Sequence, residues 1–118
     1  MIERRQRNVA QYRDALEGLP IFIPPCRTIE FNTFHTFVLQ TDRRDELQKF
    51  LAGKGIETAI HYPVPIHLQP AAAHLGYRRG AFPVTERQAE RILTLPVNQF
   101  LSASDIGYIC AHLREFFA

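Results

Sequence analysis

The sequence predicts an α+β domain built on a small, largely antiparallel sheet covered by helices on one side. Three observations lead there. Apolar residues recur at helical spacing at both ends of the chain. Between them, short runs rich in aromatic and β-branched residues, above all Phe34 to Gln40, read as strands. The glycines and prolines punctuate these runs into the order helix, strand, strand, helix, strand, loop, helix, short strand, helix. At 118 residues the chain is a single domain, long enough to bury a core.

The elements follow in order. Ile2, Val9, Tyr12, Leu16 and Leu19 fall on one face of a first helix over residues 2–17, which Gly18 and Pro20 end. No Ser, Thr, Asp or Asn precedes it, so it begins without a capping side chain, as a helix continued from further upstream would. Ile21 to Ile23 is a short strand closed by Pro24 and Pro25, and Phe34 to Gln40 is the strongest strand. Thr41 or Asp42 is expected to cap a helix that buries Leu47, Phe50 and Leu51 and ends at Gly53 and Gly55. Glu57 to Tyr62 is a further strand. Pro70 to Leu75 is one or two helical turns, and Thr85 to Arg91 a short helix with Thr85 as its cap. Leu93 to Val97 is extended. Ser102 with Asp105 forms a capping box for a closing helix lined by Ile106, Ile109, Cys110, Leu113 and Phe116.

Composition narrows the function classes. A formal charge of +2 gives no basis for a nucleic-acid partner, and Arg4, Arg5 and Arg7 are interleaved with helix formers as on a solvated helix face. No apolar run is long enough to span a bilayer, and the start lacks the apolar stretch of a signal peptide. Cys26 and Cys110 stand far apart without CxxC spacing, which fits two reduced thiols in a cytoplasmic protein.

The segment from Gly55 to Gln69 is the most informative. A strand runs into Pro63 and Pro65, which fix φ and remove backbone donors, so His61, Tyr62 and His67 stand on a rigid strand exit. Imidazole and phenol groups donate and accept hydrogen bonds, which suits hydroxyl-rich or phosphorylated ligands; the same residues could instead simply alternate between core and solvent. A metal site is not expected, because His61, His67 and His74 lack a metal-ligand pattern and no Cys lies near them. Cys26 shows no sequence context of a catalytic thiol, and no glycine-rich phosphate loop is present. The two lysines, Lys49 and Lys54, sit among charged neighbours or between glycines, where neither is sheltered for Schiff-base chemistry.

The run Gly55-Ile56, Thr58, His61-Tyr62-Pro63, Pro65, His67 and Gln69 resembles the C-terminal domain of the DegT/DnrJ/StrS-type sugar aminotransferases. The likeness continues through Leu75-Gly76-Tyr77, Phe82-Pro83, Glu86, Leu95-Pro96 and the helix at Ser102. Arg4-Arg5, Asn8, Ala10 and Tyr12 are similar to that family's interdomain helix, here residues 1–18, and Phe34-His35 to the first long strand of its small domain. Ala71-Ala72 and Asn98-Gln99 depart from the usual pattern, which bears on specificity. The resemblance implies the small domain of a homodimeric fold-type I enzyme. Such an enzyme uses pyridoxal phosphate (PLP) to move an amino group, usually from glutamate, to a nucleotide-linked keto-sugar in polysaccharide or glycan biosynthesis. The large PLP-binding domain is then the missing partner. The chain alone would be inactive, with no cofactor of its own, no catalytic residue, and an apolar face exposed for that partner or for self-association. His61, Tyr62, His67 and His35 are the residues expected to face the substrate. Two other readings stay open: a free-standing nucleotide-sugar-binding or protein-interaction module, and the small domain of a PLP-dependent sugar dehydratase.

Overall fold

In a computed structural model covering residues 1–118, the apolar stripe of the first helix dictates how the chain closes. Helix α1 (Ile2–Ala15) buries Val9 and Tyr12, with Leu16 just beyond its end. Tyr12 stacks on Phe37 with ring centroids 4.9 Å apart, and its hydroxyl donates to the Pro96 carbonyl at 2.7 Å. That contact ties α1 to strand β1 (Phe37–Gln40), which pairs antiparallel with β2 (Ile92–Leu95) in the register Phe37↔Leu95 and Leu39↔Leu93. Alternation along both strands sends these four residues to one face. There they join Leu47 and Leu51 of α2 (Arg44–Gly53) and Ile106, Ile109, Cys110 and Leu113 of α4 (Ala103–Phe117) in the core.

Single antiparallel bridges widen this ribbon, Phe22 to Gln40 on one edge and Ala59 to Thr94 on the other. The α+β class with a small antiparallel sheet is therefore present, with α1, α2 and α4 on the core face. Helix α3 (Pro83–Arg91) leads straight into β2 and borders the other face, which carries Thr94.

Several elements are shorter or start elsewhere than the sequence suggests, each for a local reason. Residues 34–36 do not join the strand. The Arg5 guanidinium takes the carbonyls of Phe34 and His35 at 3.0 and 2.9 Å, and Phe34 sits at φ +48°, outside β geometry. The strand expected over 57–62 contracts to the Ala59 bridge: toward residue 57 the partner strand β2 ends at Leu95, before Pro96, and beyond residue 62 Pro63 stops a strand. Ile21 to Ile23 likewise contributes only the Phe22 bridge. Neither Thr41 nor Asp42 caps α2. Thr41 Oγ1 accepts the Arg43 amide in a local turn, and Asp42 Oδ1 lies 2.8 Å from Arg91 Nε. Helix α3 starts at Pro83, whose fixed φ suits the first helical position, rather than behind a Thr85 cap. The capping box at Ser102 and Asp105 forms as read.

Candidate functional site

Beyond the Ala59 bridge, Pro63 and Pro65 keep the chain from continuing as a strand, and the loop they stiffen becomes one wall of a groove. His61, Tyr62, Val64, Pro65, Ile66 and Gln69 line it from the loop side, and α3 with Ile92 closes the other, around a volume of about 340 Å³. No charged side chain lines this groove. Its polar groups are His61, Tyr62 and Gln69 on the loop, faced by Thr85 and Gln88 on α3.

His61 is positioned by Thr94, whose Oγ1 lies 2.9 Å from the imidazole Nδ1. Thr94 stands on the sheet face opposite the core, so the imidazole is anchored to the scaffold through one ring nitrogen. Tyr62 meets His61 edge to face at 5.4 Å and is 71 % exposed, as is fitting for a ring available to a ligand or another surface. The peptide bond between them is cis. Gln69 donates to the Val64 carbonyl at 3.2 Å and closes the loop on itself.

His67 is turned the other way. Only 9 % exposed, its Nε2 lies 2.8 Å from Glu86 Oε1, and since a carboxylate only accepts, that nitrogen carries the proton. Both Glu86 oxygens also accept the Gly80 amide, at 2.8 and 2.9 Å. The His67 hydrogen bond, followed by the backbone amides of Gly80 and Phe82, holds the Glu86 carboxyl below the usual glutamate range. His67 packs edge to face on Phe82 at 4.8 Å, and Phe82 on Tyr77 at 5.0 Å. His35 stands apart on the exposed segment that Arg5 grips. Of the four residues expected to face a ligand, the structure thus brings His61 and Tyr62 together in the groove, buries His67 beside it, and leaves His35 exposed elsewhere.

Sequence reasoning passed over Thr94, Thr85, Gln88 and Glu86 as members or supports of this site. Glu86 alone carried a signal, through its place in the Phe82-Pro83-x-x-Glu86 motif.

The two lysines lie outside the groove. Lys54 Nζ pairs with Glu115 at 3.1 Å and sits 5.1 Å from the centre of the Phe50 ring, while Lys49 is exposed on α2. Cys26 is exposed. Cys110 is in the core, where burial pushes its thiol up to about 11. No group of three or more His, Cys, Asp or Glu side chains is arranged to hold a metal ion, and no helix is long and apolar enough to cross a membrane.

Comparison with known proteins places these features. The model of the DegT/DnrJ/EryC1/StrS aminotransferase family matches residues 1–114. The erythromycin biosynthesis sensory transduction protein EryC1 of Saccharopolyspora erythraea is 38 % identical over 94 % of this chain, which spans 31 % of that protein. The dTDP-3-amino-3,4,6-trideoxy-alpha-D-glucose transaminase of Streptomyces venezuelae is 37 % identical over 96 % of the chain and 30 % of its own length. Among solved structures, S. venezuelae DesV in complex with a ketimine intermediate superposes with a TM-score of 0.92 at 36 % identity, over 97 % of this chain and 31 % of DesV. The chain therefore spans about a third of the relatives it matches. It belongs to the DegT/DnrJ/EryC1/StrS aminotransferase family.

Proposed function

We propose that this chain is the C-terminal small domain of a PLP-dependent sugar aminotransferase, and that it supplies one wall of the cleft in which an amino-acid donor, glutamate, and a nucleotide-linked keto-sugar react. The observation that carries the reading is the groove between the His61–Gln69 loop and α3: rigidly framed, uncharged, and lined by side chains that donate and accept hydrogen bonds. Such a wall suits the hydroxyls and the ring of a neutral sugar. His61, oriented by Thr94, and Tyr62 are the groups proposed to meet the sugar, and His35 a peripheral one; His67 faces Glu86 and supports the wall from behind.

PLP supplies the electron sink of transamination, and the residues of this chain do not fit its covalent attachment. Lys54 is engaged by Glu115 and Phe50, and Lys49 is exposed on α2, so neither amine stands in a sheltered pocket beside the groove. No step is therefore assigned to this chain beyond binding and orienting substrate. The cofactor lysine belongs, in this reading, to a large domain that also covers exposed apolar residues outside the groove, such as Ile29 and Phe31.

Two measurements test this. The native gene product should have an intact mass about three times the 13.6 kDa of this chain, since the chain spans 31 % of its relative. A native product of 13.6 kDa would overturn the reading. Incubation of the chain with PLP and borohydride should leave Lys49 and Lys54 without a specific adduct, and trapping at one of them would contradict the wall-only role.

A further inference from the structure

We propose that Glu86 is a positioning residue: through His67 it latches the His61–Gln69 loop against α3 and so sets the width of the groove lined by His61 and Tyr62. The groove has two walls, the loop and the α3 residues Thr85, Gln88 and Ala89. Glu86 belongs to the second wall by sequence, yet its side chain turns from the groove and reaches back to the first. His67 lies in the single 3₁₀ turn Ile66–Leu68, between the groove residues Ile66 and Gln69. One hydrogen bond of 2.8 Å therefore joins the two walls behind the lining.

The carboxylate is suited to this. It only accepts, it meets only N–H groups, and it stands in the first turn of α3, where the helix dipole favours a negative charge. Its second anchor is the Gly80 amide, presented by a backbone at φ +94° that a residue with a Cβ adopts only under strain. With the connector pinned at Gly80 and the loop pinned at His67, the carboxylate has two fixed points. The flanking charged residues Arg78, Arg79, Arg87 and Glu90 are exposed and make no bond to it. Phe82 packs on the His67 ring from the side, and Glu86 is the acceptor at its Nε2.

That the groove's width bears on substrate rests on reading the groove as a substrate wall, but the latch can be measured without ligand, so either can fail while the other stands. Amide hydrogen exchange on the 118-residue chain reads it out. In Glu86→Ala, protection at Gly80, Leu68 and Gln69 should fall about tenfold or more, as a lost charge-assisted bond implies, while Gln40 and Thr94 in the sheet stay unchanged. His67→Phe keeps the ring against Phe82 but removes the donor; it should free Leu68 and Gln69 and leave Gly80 protected. Glu86→Gln should restore most protection, because its carbonyl takes the Gly80 amide and its amide donates to the other His67 tautomer. If Leu68 and Gln69 stay protected in both Glu86→Ala and His67→Phe, or if every amide loosens alike, the latch does not exist.

Discussion

The core beneath the sheet and the loop above it are held by different physics. In the core, Tyr12, Leu39, Leu47, Leu51, Leu93, Ile106 and Leu113 are wholly buried, and non-directional burial of apolar surface does the work. In the loop, Tyr62 and Ile66 are 71 % and 79 % exposed, and its shape depends on directional bonds at His61, His67 and Gln69. The scaffold is thus over-determined by many small contacts, whereas the candidate binding wall hangs on a few that can be removed singly. A site arranged this way can change its lining without endangering the fold, which suits a surface whose specificity must vary.

The sharpest way to break the comparison is to cut a large side chain in each region. Leu39→Ala removes a fully buried group that the close-packed core cannot refill, and should cost about 2–5 kcal/mol of stability. Ile66→Ala, on the exposed groove wall, should cost less than about 0.5 kcal/mol. Denaturant unfolding of both variants measures the contrast, and equal losses would mean that the loop is part of the cooperative core.

Tyr12 is the place where the core also uses a directional bond. Tyr12→Phe keeps the stack on Phe37 but leaves the partly buried Pro96 carbonyl without its donor, for a loss of about 1 kcal/mol, that of one hydrogen bond. Thermal melting against the parent chain reads it. A change below a few tenths of a kcal/mol would show that water replaces the hydroxyl.

The same division explains what the sequence made legible. Helical spacing found α1, α2 and α4, because amphipathic periodicity is the direct imprint of burying one face, and all three of these helices feed the core. The Ser102 capping box was readable because its bonds are local. What stayed hidden depends on partners distant in sequence. Arg5 strips Phe34 and His35 from β1 across about thirty residues, as their sequence separations show, and nothing in the strand pattern announces it. His67 reads as a ligand residue until Glu86, nineteen positions on, claims its Nε2. Thr94 looks like one more residue of a short strand, yet it orients His61. Residue type and spacing therefore located the groove loop, while the direction each side chain faces was settled by tertiary hydrogen bonds.

An effect of similar size belongs to the α4 cap, which lies between the two regimes because its bonds are directional but end a core helix. Ser102 Oγ accepts the Asp105 amide and Asp105 returns a bond to the Ser102 amide. Ser102→Ala should cost about 1 kcal/mol, detectable as a lowered denaturation midpoint with an unchanged slope.

Acid and alkali should separate the two regions with the least disturbance of either. Glu86 has its carboxyl held below the ordinary value of 4.5, first by the His67 hydrogen bond. A depressed carboxylate contributes stability that is complete above its unfolded pKa and is lost as pH falls through the lower folded value. The loop should therefore loosen on acidification below about 4.5, with Asp105 at the α4 cap and Glu115, bonded to His112, following the same sign. The core groups run the other way. Burial raises Tyr12 above its ordinary 10.0 and Cys110 from 9.0 to about 11, so their neutral forms stabilise the fold fully below the unfolded values. That contribution is lost as pH rises past 9, first at Cys110 and then at Tyr12. Chemical shifts followed from pH 3 to 8 should show Leu68 and Gly80 moving on the acid side while the sheet amides of Gln40 and Thr94 hold still, and thermal melting from pH 8 to 11 should show the alkaline loss of stability. Glu86→Gln has no carboxyl to protonate, so it should abolish the acid transition at Gly80 and leave the alkaline one in place. If the acid transition at Gly80 persists in that variant, the loop is titrated by another group, and its independence from the rest of the fold has a different source.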